Sequence, residues 1–187
     1  MPTNKTPQEK YEEELKQEEH DHLHKPTAAA MTNHILANIH TMHVKLHQYH
    51  WYVKGPHFFA LHEKFEDLYD ENEEWFDKLA EVLLANGHKP ISTTEKYLKY
   101  SSLKEDGADK YLSAERMVEN LVDDYRVTLD LTTHTINMAG EAGQFVLEDT
   151  LIGYKDAIDK NIWMLQAFLG KETHEGDPAF ETDEDDE

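Results

Sequence analysis

Ile35, Ile39, Met42, Leu46, Tyr49 and Val53 recur at alternating intervals of four and three residues. That period commits the stretch from about residue 27 to 54 to a helix with one apolar face, and Gly55-Pro56 ends it. A second segment of the same kind starts near Phe59 and runs to Asn86-Gly87, with Phe65, Leu68, Trp75, Leu79 and Leu83 among its apolar positions. A connection of about 25 residues follows, in which Ser92-Thr93-Thr94-Glu95 has the capping-box pattern that starts a short helix. A third long helix is expected after the cap Ser113, ending around Gly140, and a fourth from roughly Asp149 to Leu169, closed by Gly170. Strand signals are absent. Four long amphipathic helices with short first and third connections and a long middle one make an all-α four-helix bundle with one crossover. Such a bundle hosts many functions, so the function has to come from particular residues.

The 187 residues suit one domain, from about 27 to 170, between two polar tails at 1–26 and 171–187. There are 39 acidic against 18 basic residues, a net charge of −21. Bulk attraction for a polyanion is thereby excluded, and attraction for cations favoured. With no cysteine there is neither a disulfide framework nor a thiolate metal site. The first residues carry no apolar signal core and are too acidic for a transit peptide, and no apolar run is long enough to span a bilayer. A cytoplasmic protein is expected. The first tail, with seven acids, four lysines and the cluster His20, His22, His24, reads as a short, weakly anchored helix or as disorder. The second, with nine acids and one lysine, is expected to be extended and solvated.

The second long helix carries the sharpest pattern. At about 100° per residue, Glu66, Asp77 and Glu81 fall within roughly 100° of His62, so four metal-capable side chains share one stripe. By helical rise, however, His62/Glu66 lie about 22 Å from Asp77/Glu81. Metal–ligand bonds are only about 2 Å long, so one chain cannot close a site from both pairs. A second copy can: two such helices packed antiparallel about a twofold axis near residues 71–72 bring one copy's His62 and Glu66 to the other's Asp77 and Glu81. His50 lies as far before Pro56 as His62 lies after it, so the hairpin brings the two level. The expected shell is His50, His62 and Glu66 from one subunit with Asp77 and Glu81 from its mate, a donor set that suits iron, manganese or zinc.

Each pair alone is an ordinary solvated couple at i, i+4 spacing, and acids are abundant here. From spacing alone both readings stay open; the joint pattern of two pairs, one stripe and a mirrored histidine is harder to dismiss than either pair, and leaves the two evenly balanced. A single-chain di-iron bundle is ruled out, because it needs two Glu-x-x-His motifs on core helices. The chain has one, Glu19 to His22, in the polar tail.

These residues resemble the signature of the Dps family, ferritin-like proteins named for DNA protection during starvation. The stretch HWYVKGPHFFALHEKFEDLYDE is closely similar to the family's first signature, and IDKNIWMLQAFLG at 158–170 is similar in kind to its second block. The resemblance spans about 28–170 and implies a ferritin-like four-helix bundle, with the short extra helix in its crossover. It implies a hollow homododecamer with ferroxidase centres at twofold interfaces, which oxidises Fe(II) preferentially with hydrogen peroxide, stores the ferric mineral and protects against oxidative stress. His50, His62, Asp77 and Glu81 match the family's ligands; Glu66 stands where the family usually has Asp. Trp51 matches a family tryptophan near the centre and is equally a packing aromatic. The resemblance also implies acidic threefold pores near the start of the last helix, where Glu141, Glu148 and Asp149 are the candidates, although Gln144 and Phe145 make the region less acidic than the pattern. Of the acids Glu63, Asp67, Asp70, Glu71, Glu73 and Glu74, it implies that some line the cavity.

The remaining histidines carry weaker readings. His40, His43 and His47, in line with His50, read as a partly buried polar flank or subunit contact, with auxiliary metal binding less favoured. The tail cluster would bind metal only after paying ordering entropy. Relatives that bind DNA use lysine-rich tails, and these tails are acidic, so weak or no DNA binding is expected at neutral pH. The alternative function, a structural or DNA-compacting shell with a degenerate metal centre, sits poorly with those tails and with a nearly complete ligand set. A monomeric metal-binding module leaves the long stripe unexplained.

Overall fold

The computed structural model describes residues 5–24 and 26–180, with side chains except at 18–24. The helices are α1 (Pro7–His24), α2 (Ala28–Tyr52), α3 (Phe58–Ala85), α4 (Thr94–Tyr100), α5 (Ala114–Glu141) and α6 (Phe145–Phe168), with a 3₁₀ turn at Asp109–Tyr111. No strand occurs among the described residues, and no helix among them is long and apolar enough to cross a membrane. α2 pairs with α3 and α5 with α6, and the contacts of α2 with α5 and α3 with α6 close the bundle. The apolar stripe of α2 is its core: Ile35, Ile39, Met42, Leu46, Tyr49 and Val53 are all buried. Gly55, at φ 103°, makes the reversal before Pro56 that only a residue without a Cβ adopts easily.

The helix starts show how local chemistry fixes ends. The Thr27 hydroxyl accepts from the Ala30 N–H, and that of Ser113 from Arg116. In the crossover the cap is Thr93, which accepts from Lys96, so α4 opens at Thr94. α6 starts at Phe145, four residues before the expected Asp149. Gly143, at φ 68°, lets Gln144 donate back to the Ala139 carbonyl, and this closure ends α5 so abruptly that the chain re-enters a helix at once. Buried Thr128, Thr132 and Thr135 on α5 each satisfy their hydroxyl on the carbonyl four residues back, so a polar stripe can face the core.

Of the two readings of the first tail, the helix is the one found. Thr6 and Glu9 cap α1 reciprocally, at 2.8 Å and 3.3 Å. Glu14 then pairs with Lys89 at 2.9 Å, and the Lys96 ammonium lies 5.5 Å from the centre of the Tyr11 ring. The side chains of Glu19, His20, His22 and His24 lie outside the described residues. The second tail departs from the extended course expected of it, at least over 171–180. Arg126 of α5 donates to the carbonyls of Glu175 (2.9 Å) and Gly176 (3.1 Å), and Gln166 donates to that of Glu175 (2.8 Å). One buried guanidinium with two carbonyl acceptors outweighs the mutual repulsion of a few exposed acids. Residues 181–187 lie outside the described residues.

Candidate metal centre

His50 occupies the last turn of α2 and His62 the second turn of α3, and the hairpin brings them into contact. The Nδ1 of His50 lies 2.7 Å from the carbonyl oxygen of His62, and the Nδ1 of His62 lies 2.8 Å from that of His50. A carbonyl oxygen only accepts, so each Nδ1 must be the protonated, donating nitrogen. In the neutral form of each ring the lone pair is then on Nε2, the tautomer that binds a metal there. The two imidazoles stack, centroids 3.7 Å apart and planes 18° apart, and Phe58 stacks on His62 at 5.1 Å. Glu66, exposed one turn further on, completes the set. Ligand atoms of His50, His62 and Glu66 all lie within 4.8 Å of one another, the one such group among the described residues. His50 is 8% exposed, His62 partly buried and Glu66 open to solvent, so the half-site has a dry wall and a wet mouth.

Asp77 and Glu81 do not join this group within one chain. Both are exposed on the same continuous helix, and the separation of about 22 Å expected from helical rise applies. The surface beside the half-site is apolar: Trp51 is 66% exposed and Phe59 83%. Large aromatic groups left in water are the kind of surface that interaction sites use.

The other α2 histidines engage aromatic rings. His40 stacks on Tyr97 at 4.5 Å, and His47 stacks on Tyr69 at 4.0 Å while its Nδ1 faces the His43 carbonyl at 3.0 Å. His43 has its pKa pushed down, first by burial and then by the neighbouring His47, with Glu73 opposing. Trp51 meets the His47 ring at 5.4 Å and 64°. Tyr69 was not among the residues that the sequence singled out. Its signal was nevertheless there: it follows His62 by seven residues and Glu66 by three, on the ligand stripe.

A ferritin-like domain model matches residues 29–173. The DNA protection during starvation protein of Listeria innocua is 42% identical over 139 residues, covering 74% of this chain and 89% of its own. General stress protein 20U of Bacillus subtilis is 44% identical over 135 residues, 72% and 92% respectively. The crystal structure of DpsB from Lactococcus lactis superposes with a TM-score of 0.85 at 31% identity, covering 90% of this chain and 96% of that one.

The chain belongs to the Dps family of ferritin-like proteins.

In this Dps-family chain the three acids near the start of α6 do not gather into a metal-sized group. Glu141 and Asp149 are exposed. The Glu148 carboxylate lies back on α5, close enough that a Cβ at Gly140 would meet its Oε1 at 2.8 Å.

Proposed function

We propose that the protein is a ferroxidase and iron-storage subunit, built as a homododecamer whose centres are shared across twofold interfaces. The observation that carries this reading is the half-site: two imidazoles whose Nδ1 atoms face backbone carbonyls, one carboxylate within 4.8 Å of them, and no further ligand in the group among the described residues. Asp77 and Glu81 of a second copy supply the missing carboxylates. Their negative charge favours the ferric product over ferrous iron, as an all-neutral shell would not. Ferrous iron and hydrogen peroxide are the substrates. Two Fe(II) give up one electron each, and peroxide takes both electrons and two protons to become two waters. Because both electrons leave in one site, no hydroxyl radical is released, and the ferric product passes to the mineral. Exposed acids, Glu141 and Asp149 among them, concentrate cations at the surface of a shell that carries −21 per subunit. The same charge supports weak DNA binding or none, and a cytoplasmic location is part of this reading.

The test is to add Fe(II) without oxygen, then peroxide, to the wild type and to His50→Ala/His62→Ala, following ferric absorbance. Equal rates would refute the centre. A monomer in size-exclusion chromatography would refute its shared construction.

A further inference from the structure

Between α2 and α3, away from the half-site, a cavity of about 30 Å³ is lined by Ile39, His40, His43, Asn72, Glu73 and Phe76. The register set by His50 opposite His62 brings His40 level with Asn72, ten residues away along each helix. The cavity therefore lies about 15 Å from the imidazole pair. Its volume admits one or two water-sized guests and no organic ligand. Two polar atoms of its residues are buried without a hydrogen-bond partner, the Nδ1 of His43 and the Nδ2 of Asn72. Asn72 is only 3% exposed, and a buried amide of this kind is costly unless something in the cavity engages it. Glu73, exposed and yet part of the lining, brings a negative charge to the cavity. His40 is held elsewhere, stacked on Tyr97 at 4.5 Å and tilted against Phe76 at 6.2 Å. His40, His43 and Glu73 do not converge as the half-site does. The third donor beside His43 and Glu73 is then the amide of Asn72, whose oxygen takes the place of its nitrogen on a half-turn of the side chain.

We propose that this cavity is a second cation site, separate from the shared centre: the His43 Nδ1, the Asn72 amide oxygen and the Glu73 carboxylate hold one divalent transition-metal ion. One imidazole nitrogen with two oxygens suits zinc, manganese or ferrous iron, and the nitrogen selects against magnesium and calcium. All three ligands come from one subunit, so the site is complete without a second copy and does not depend on the ferroxidase reading. Spacing favoured a polar flank for this histidine row; for His43 the cavity supplies the observation that spacing lacked.

The probe is Zn(II). Crystals of the assembled protein soaked in Zn(II), with anomalous differences measured on both sides of the zinc edge, should show a peak about 2 Å from the His43 Nδ1. The same peak is expected in His50→Ala/His62→Ala, where the half-site is disabled. In that background calorimetric titration should retain a site for one Zn(II) per subunit, which Glu73→Gln and Asn72→Leu each weaken at least about tenfold. Glu73 is exposed, so Glu73→Gln removes a ligand charge without disturbing the core. No zinc peak in the cavity, or density there that does not change across the edge and so belongs to water, would overturn the proposal. So would unchanged affinity in either variant. A peak that vanishes in His50→Ala/His62→Ala would assign the ion to the shared centre and refute a separate site.

Discussion

Lys45 and Asp124 form an ion pair between α2 and α5, with side chains only 7% and 13% exposed. An ammonium in contact with a carboxylate should pull the carboxyl pKa down. The Asp124 pKa instead lies above its ordinary 3.8, with burial the largest cause and Lys45 opposing it. Desolvation therefore outweighs attraction. The sign follows from linkage: a carboxyl whose folded pKa is raised favours the fold below 3.8 and loses that contribution as pH rises through the folded value. At neutral pH the ionised Asp124 is thus a cost that Lys45 only partly offsets. Asp124→Ala strands the buried ammonium and should destabilise by about 3–5 kcal/mol. A solvent-open cavity of about 310 Å³ beside the pair admits water and places the loss at the lower end. For a chain of this size that is a fall of about 6–12 °C in Tm. Lys45→Met/Asp124→Leu removes both charges and should lie within about 1 kcal/mol of the wild type, or be more stable. Guanidinium unfolding at one fixed protomer concentration, which holds any contribution of assembly constant, compares all three. A double variant as unstable as Asp124→Ala would refute the reasoning.

Mixing subunits tests the proposed shared centre directly. Shells co-assembled from equal amounts of His50→Ala/His62→Ala and Asp77→Ala/Glu81→Ala subunits should recover about a quarter of wild-type ferroxidation, because half the dimers are mixed and each has one intact site; no recovery would contradict it. Arg126→Ala removes the donor that holds residues 175–176, so amide exchange and proteolysis across 172–180 should accelerate, with a stability loss of about 1–3 kcal/mol. The Glu9 pKa is lowered from 4.5 by the backbone and side-chain hydrogen bonds of Thr6, so its support of α1 is present above pH 4.5 and lost as pH falls through the lower folded value. Amide protection at Thr6 should follow that curve and lose its pH dependence in Glu9→Gln.

The bundle was legible because its signals are local. Apolar spacing marked α2 and α3 to within two residues, since one helical turn repeats the same face whatever lies beyond it. The start of α6 was misplaced because a left-handed Gly143 permits two helices to follow almost without a loop, and composition alone does not show where a glycine adopts positive φ. The fold of 171–180 was missed for a different reason. Repulsion among its acids is visible in the chain, but the guanidinium that overcomes it lies about fifty residues earlier, on α5.

For the proposed centre, the candidate residues were read from the chain, and the fold brings His50, His62 and Glu66 together. Helical geometry places His62, Glu66, Asp77 and Glu81 on one stripe and also separates them too far for one subunit, so a site that used all four would need a second copy by rise per residue alone. Only the tertiary structure decides which nitrogen of each histidine is free. That depends on the backbone of the opposite helix offering a carbonyl at 2.7–2.8 Å, a distance set by how α2 and α3 pack. The stack of Tyr69 on His47 has the same origin: its place on the stripe is periodic, but a contact at 4.0 Å exists only between two packed helices.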